Sequence, residues 1–277
     1  MKVGFFDRYV WKTFGWFASG ISVVLSYITI FFSSFIVEHK KCFMFLLTVM
    51  FLLIYVSILI YANTKKKVTL KIRNTKVVIK EGDIFKENDS CKKIIPFNEY
   101  LDTLVDDKII AKGSLNGKYL LNVVTEDKIE KLNDDIKNGL DNSVIECIDQ
   151  QRKSGKTIKY KLGTIYVNDE YFLLAYSRFN ESNKAYLTNE DVAKCYMNMW
   201  NEIDKYRAYY SVSMPVLGSS GMVRFDKDYK PQQLVEMILW TFRISGINLN
   251  RTTSLNIIVH KSMISEINFI KLKDYGD

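Results

Sequence analysis

The chain has 277 residues, 48% of them hydrophobic and 25% charged, with a formal charge of +8 and a mean hydropathy of −0.06. Its four cysteines, Cys42, Cys91, Cys147 and Cys195, show no C-x-x-C spacing and read as reduced thiols of a cytosolic domain. With His39 and His260 as the only histidines, there is little material for a zinc site or a histidine-based catalytic triad, and no metal or cofactor is expected.

These averages describe an ordinary basic soluble protein, and only a local reading separates the parts. After a short N-terminal segment, 1–13, two stretches carry no charged residue, 14–37 and 42–62. About 20 apolar residues cross a hydrocarbon core of ~30 Å, so each stretch is long enough for a transmembrane helix. Two in succession, rich in Phe, Ile, Leu and Val, do not suit a buried core helix. A cleaved signal peptide does not suit them either. The first stretch is too long for an h-region, lacks a small-residue cleavage site, and is followed at once by the second. Only Glu38, His39, Lys40 and Lys41 connect the two, which forces an antiparallel hairpin with both chain ends on one side.

Orientation follows from basic residues near the helix ends. Lys2, Arg8, Lys12, Lys65, Lys66, Lys67 and Lys71 flank the open end, against Lys40 and Lys41 at the turn. Both termini and the large C-terminal domain are therefore expected in the cytoplasm. Trp11, Trp16, Tyr55 and Tyr61 are candidates for the membrane interfaces. Ser19, Ser22, Ser26, Thr29 and Ser33 recur at spacings of three and four, a small polar stripe on one helix face. Two readings stay open for it: packing within the hairpin, or a self-association seam between copies. In the basic linker, 63–67, the three lysines suit anionic lipid headgroups. No dense basic cluster with interleaved aromatics follows, so no nucleic-acid partner is expected.

From 68 to 277 the pattern changes to alternating strands and helices. Val68–Arg73 and Lys76–Lys80 alternate apolar with polar residues, and Ile94–Phe97 is a short apolar strand closed by Asn98. The segment 126–140 places Ile129, Leu132, Ile136 and Leu140 on one helical face, and 143–151 continues as a second short helix. A hairpin is expected around Asn168 and Asp169, then a long amphipathic helix over 189–206 with Thr188 or Asn189 as N-cap. A strand over 210–215, a glycine-serine turn over 217–221 and a helix over 230–245 ended by Gly246 follow. An apolar strand over 254–259 and a short helix from Ser262 close the chain. This order argues a mixed or parallel sheet covered by helices.

Ligands of such sheets bind beyond the carboxyl ends of the strands, and two strand exits stand out. The first is Glu81-Gly82-Asp83-Ile84-Phe85, where glycine permits a tight turn and Asp83 offers a carboxylate to an amino group. Such Gly-Asp turns are also common without function. The second runs from Pro215 through Gly218-Ser219-Ser220-Gly221-Met222 to Val223-Arg224-Phe225. Its small residues leave successive backbone N–H groups free and a basic side chain closes it, which suits a phosphate or diphosphate. A plain flexible turn fits as well. It is neither a P-loop nor a dinucleotide G-x-G-x-x-G.

Together the two segments resemble a known family. Val77-Val78-Ile79-Lys80-Glu81-Gly82-Asp83-Ile84 is similar to the opening strand and Gly-Asp-Ile of macro domains. Ile95-Pro96-Phe97-Asn98 stands where that family has a strand ending in asparagine. Ser219-Ser220-Gly221-Met222-Val223-Arg224-Phe225 resembles its diphosphate-cradling second loop. The fold class implied is α/β, a macro-like mixed sheet flanked by helices, here preceded by a two-helix transmembrane hairpin. The resemblance implies an ADP-ribose-type pocket. Asp83 would meet the adenine amino group, Ile84 the ring edge, Asn98 the distal ribose, Gly218 to Met222 the diphosphate, and Phe225 the distal-ribose side.

The departures point away from hydrolysis. The glycine-rich loop that active macro domains place over the distal ribose is absent from 99–107, and Arg224 replaces a glycine of the second loop. A pocket of this kind suits a ligand with a group attached to the distal ribose. The combination with the hairpin resembles the membrane effectors of type II Thoeris antiphage defence. That resemblance implies an inner-membrane sensor without catalytic chemistry. Its signal is an ADP-ribose derivative, histidine-ADP-ribose, made by a TIR-domain partner, and the membrane helices then assemble and damage the bilayer. The alternatives are a membrane-anchored ADP-ribosyl or NAD-metabolite hydrolase, and a constitutive membrane scaffold.

Overall fold

The computed structural model describes residues 2–206, 210–249 and 253–277. Helix α1, Arg8–Phe31, is capped by Asp7, whose carboxylate accepts from the Tyr9 amide. It stops at Phe32, and a short helix α2, Ser33–Glu38, precedes the returning helix α3, Lys40–Thr64. The first apolar stretch is thus not one helix. Its helix starts earlier than 14, since Arg and Lys are good helix formers, and it breaks where Phe32 meets the Ser33-Ser34 pair, a common kink site. Helix α1 turns Phe14, Ala18, Ile21 and Leu25 toward α3, which answers with Leu47, Phe51, Ile54, Tyr55 and Ile58.

The serine stripe lies elsewhere. Ser19, Ser22, Ser26, Thr29 and Ser33 are all exposed. The hydroxyls of Ser19, Ser26 and Thr29 donate to the carbonyls of Gly15, Ser22 and Ser26 at 2.8–2.9 Å. Packing within the hairpin, one of the two readings of this stripe, is therefore corrected. Larger apolar side chains fill the α1–α3 contact, and the small polar residues bond back to their own helix.

The C-terminal domain is built on a nine-stranded sheet. Its strands are β1 Lys67–Ile72, β2 Thr75–Glu81, β3 Cys91–Asn98, β6 Ile165–Asn168, β7 Tyr171–Phe179, β8 Ala185–Leu187, β9 Ser211–Pro215, β10 Arg224–Phe225 and β11 Ser254–Val259. Their order is β1-β2-β11-β9-β3-β7-β8-β10, with β6 pairing on β7. Strands β2, β11, β9, β3 and β7 run parallel; β1 pairs antiparallel to β2, β6 and β8 pair antiparallel to β7, and β10 runs parallel to β8. Helices α6, Asn189–Asp204, and α7, Pro231–Ser245, cover one face. Helix α4, Leu115–Tyr119, and helix α5, Ile129–Gly139, lie over the other.

Local chemistry explains the boundaries. Thr188 caps α6 through a capping box with Asp191. Pro231 opens α7 and Gly246, with φ +79°, closes it in the left-handed conformation. The fully buried Trp200 of α6 packs on Phe242 of α7 with ring centres 5.0 Å apart, and its indole N–H donates to Thr241 at 3.1 Å. Such a large buried aromatic is worth about 3–5 kcal/mol against alanine.

The expected helix over 143–151 is a correction. A single 3-10 turn, Asn142–Val144, is capped by Asp141 and leads into strand β4, Ile145–Ile148, which pairs with β5, Ile158–Tyr160, in a separate small ribbon. Two isoleucines in four residues favour a strand over one more helical turn.

Candidate functional site

The sheet parts at its centre. Strands β3 and β9 pair only over Cys91–Lys93 with Ser211–Ser213; beyond that β3 follows β7, and β9 follows β11. The carboxyl ends of β2, β11, β9, β3 and β7 thus surround a cleft of about 680 Å³, within the usual size range of small-molecule sites.

On one wall, the β2 exit carries Gly82, Asp83 and Ile84. The Gly82 amide donates to the Val259 carbonyl at 3.0 Å. A Cβ at Gly82 would stand 3.2 Å from Ile258, so glycine lets β2 and β11 close up there. Asp83 caps the turn Ile84–Lys86 by accepting from the Phe85 amide at 3.1 Å through Oδ1. That leaves Oδ2 of this exposed carboxylate for a ligand donor. Ile84 is buried beside Ile95 and Phe97 and offers an apolar edge.

The loop after β9 also lines the cleft. The Ser219 hydroxyl donates to the Val216 carbonyl at 2.5 Å, closing a turn. Ser220 accepts a long bond, 3.4 Å, from the Met222 amide. Gly218 and Gly221 have φ of +77° and +71°. A Cβ on Gly218 would meet Phe225 at 2.3 Å and the Tyr176 hydroxyl at 2.9 Å, so no other residue fits. Among the described residues the amides of Gly218, Ser220 and Gly221 have no hydrogen-bond acceptor, the arrangement that forms an anion nest. Met222 is half exposed over the cleft, and Arg224 lines it with no carboxylate partner among the described residues. Phe225 stands behind this lining, its ring beneath Gly218 and edge-on to Tyr229 at 5.3 Å.

Asn98 lines the cleft floor but is largely engaged by its own loop. Its Oδ1 accepts from the amides of Tyr100 and Asp102, and its Nδ2 donates to Asp102 at 2.8 Å. The buried Asp102 also pairs with Arg152 at 2.7 Å and accepts from the Lys156 amide at 2.8 Å. The Arg152 guanidinium stacks 3.7 Å over the Tyr100 ring and reaches Asn183, itself a lining residue. Burial draws the Lys156 ammonium down to about 8, with Asp102 opposing. One N–H of Asn98 remains for a ribose hydroxyl.

Further lining comes from residues that sequence reasoning did not single out. The segment 107–118 folds over the cleft, with Ser114 capping α4 through the Gly117 amide at 3.0 Å. Tyr176, Asn180 and Asn183 come from β7 and the turn after it, and His260 and Met263 from the exit of β11. The sequence carries little signal for them: Gly117 is required by its own loop, since a Cβ there would meet the Ala111 carbonyl at 2.2 Å. His260 bonds Ser262 through Nδ1 at 2.8 Å while also lining the cleft. The Tyr176 hydroxyl is buried under Gly218. Among the described residues no cluster of His, Cys, Asp or Glu is disposed to hold a metal ion.

The macro domain of Thoeris protein ThsA, as a family, matches residues 77–260, a stretch that includes Asp83, Asn98 and the Gly218–Phe225 segment. Thoeris protein ThsA of Bacillus amyloliquefaciens (strain Y2) is 36% identical over 208 residues, spanning 75% of this chain and 70% of that protein. Two single-residue variants of the Oceanobacillus iheyensis macrodomain superimpose with TM-scores of 0.46 and 0.48 at 14% identity. They cover 76% of this chain and 92% and 97% of their own. By the extent of the family match and of the identity to its Bacillus relative, the chain belongs to the Thoeris ThsA macro-domain family.

Proposed function

We propose that the protein is a membrane-anchored sensor-effector that binds an ADP-ribose-derived nucleotide in this cleft and then assembles through its hairpin to disrupt the inner membrane. The observation that carries the reading is the lining of one cleft by two complementary groups: amides of Gly218, Ser220 and Gly221 without an acceptor among the described residues, and a free carboxylate oxygen of Asp83. A diphosphate suits the first and an adenine amino group the second. Asn98 would take the distal ribose with its remaining N–H. Arg224 and the Asn180–Asn183 turn leave polar partners for a group attached to that ribose, such as the histidine of histidine-ADP-ribose. A TIR-domain enzyme would supply that signal.

Membrane placement is supported by the two long helices, of which 0% and 6% of the most apolar window is buried. The bias of Lys2, Arg8, Lys12 and Lys65–Lys67 over Lys40 and Lys41 favours a cytoplasmic C-terminal domain. The exposed serine stripe supports assembly between copies. Binding without turnover is our reading of the chemistry. Calorimetry of the detergent-solubilised full chain with ADP-ribose and histidine-ADP-ribose, followed by analysis of the nucleotide recovered, tests it. Tight binding with the nucleotide returned intact is expected, with preference for the conjugate. Steady release of free ADP-ribose would make the protein a hydrolase, and no binding would leave a scaffold.

A further inference from the structure

We infer that residues 2–7 form a strap that ties the hairpin to the C-terminal domain in the ligand-free protein, and that nucleotide binding acts by loosening it. The inference rests on the sensor reading above for its trigger, but the strap itself stands on separate contacts.

Asn63, in the last turn of α3, holds the strap with its side-chain amide. Its Oδ1 accepts from the Lys2 amide at 2.8 Å and from the Val3 amide at 3.1 Å, and its Nδ2 donates to the Val3 carbonyl at 3.2 Å. Two turns earlier on the same face, the Tyr55 hydroxyl donates to the Phe5 carbonyl. Val3 and Val10 are fully buried, and with Tyr55, Ile58, Ala62 and Ile270 they form a small core separate from those of the C-terminal domain. The Lys2 ammonium sits 5.3 Å from the ring centre of Phe269 and donates to the Lys65 carbonyl at 3.1 Å. An N-terminal segment is ordinarily loose unless tied down. Here six buried side chains and one amide tie it, a contact small enough to open locally.

The domain side of this contact leads to the cleft. Ile270 follows the turn Lys261–Glu266, which carries Met263 and begins at His260, both lining residues at the β11 exit. On the neighbouring strand, Glu81 receives Lys66 at 2.8 Å and donates its amide to the Lys66 carbonyl at 3.1 Å, immediately before Gly82 and Asp83. The wall made by β2 and β11 is therefore fastened to the hairpin foot twice. A nucleotide that draws this wall toward the Gly218 loop pulls on both fastenings. It shifts the strap only by its differential affinity for the two settings.

Hydrogen exchange on the full chain in nanodiscs reads the strap directly. Adding histidine-ADP-ribose should speed exchange of the Lys2 and Val3 amides. Asn63→Ala, which removes all three bonds to the strap, should raise that exchange on the order of tenfold without nucleotide. By reciprocity the same variant should bind the nucleotide several-fold more tightly and assemble in its absence. Tyr55→Phe keeps the ring packing and should give a smaller shift in the same direction, which separates strap release from misfolding. Unchanged nucleotide-free exchange and assembly in Asn63→Ala would overturn the strap. Variants that release while the parent binds no nucleotide would keep the strap and overturn its nucleotide trigger.

Discussion

The two halves of this chain treat apolar residues in opposite ways. In the C-terminal domain Trp200, Phe172, Phe242 and Phe269 are sealed inside, and the charged groups nearby are paired. In the hairpin Trp16, Ile30, Phe31 and Phe45 are more than two-thirds exposed, and no protein surface covers them. A soluble protein rarely displays so large an apolar surface. The C-terminal domain satisfies its apolar residues with its own core, whereas the hairpin leaves them open, as the proposed membrane placement requires. Between them lies the small core at the strap, the junction through which the proposed signal would reach the hairpin.

The largest expected effect falls on the hairpin alone. Replacing Ser22, Ser26 and Ser33 together by leucine keeps the helix apolar but blocks close approach of a neighbouring copy. Each interhelical bond is worth only ~0.6 kcal/mol, yet many recur around an assembly. Nucleotide binding should be unchanged while large assemblies and cell depolarisation disappear. A variant that still assembles like the parent would move the seam to α3 or to the C-terminal domain.

The next falls on the C-terminal domain. Gly221 lies in open space although its φ is positive. Gly221→Glu should therefore leave the domain's thermal transition within a few degrees while placing a carboxylate where the diphosphate is proposed. Affinity measured by calorimetry should fall at least about 100-fold from charge repulsion. Unchanged affinity would remove the loop from the site. Gly218 is unsuitable for this test, because any side chain there collides with Phe225.

Much of this was legible in the residues, for identifiable reasons. Long uncharged runs and alternating strands are one-dimensional patterns, so the hairpin and strands β1, β2, β6, β7, β9 and β11 could be read directly. Asp83 and the Gly218–Met222 turn were visible because glycine marks special backbone beside strand ends. Strands β8 and β10 were not, since two- and three-residue strands exist only through their partners. The cleft cover over 107–118 was missed for a similar reason: its role depends on being folded back over β3. Asn98 is marked in the sequence by the apolar run it closes, but its engagement with Asp102 and Arg152 depends on a contact across about 50 residues of sequence.

A smaller effect sharpens the adenine assignment. If Asp83 accepts from an adenine amino group, Asp83→Ala should cost about 1.5–3 kcal/mol, the range for a hydrogen bond to a charged group. The loss should shrink for the hypoxanthine analogue, whose oxygen cannot donate. Equal losses for both bases would place Asp83 elsewhere in the complex.

The smallest effect concerns the support behind Asn98. Lys156 has a folded-state pKa lowered to about 8, against ~10.4 for a free lysine. Between those values the unfolded chain binds more protons than the folded one, so this group's contribution to stability rises with pH across about 8 to 10.5. Thermal melts of Lys156→Met should lack that rise, and should show greater stability than the parent at pH 7. Parallel pH profiles for the two would show that the ammonium is hydrated in the folded protein.

The most direct measurement is made on the full chain in dye-loaded vesicles, titrated with histidine-ADP-ribose while occupancy and particle size are followed together. For a nucleotide-gated effector, leakage and assembly should rise along the occupancy curve, the nucleotide should be recovered unaltered, and Gly221→Glu vesicles should stay sealed. Leakage that is independent of nucleotide, or occupancy without assembly or leakage, would contradict that reading.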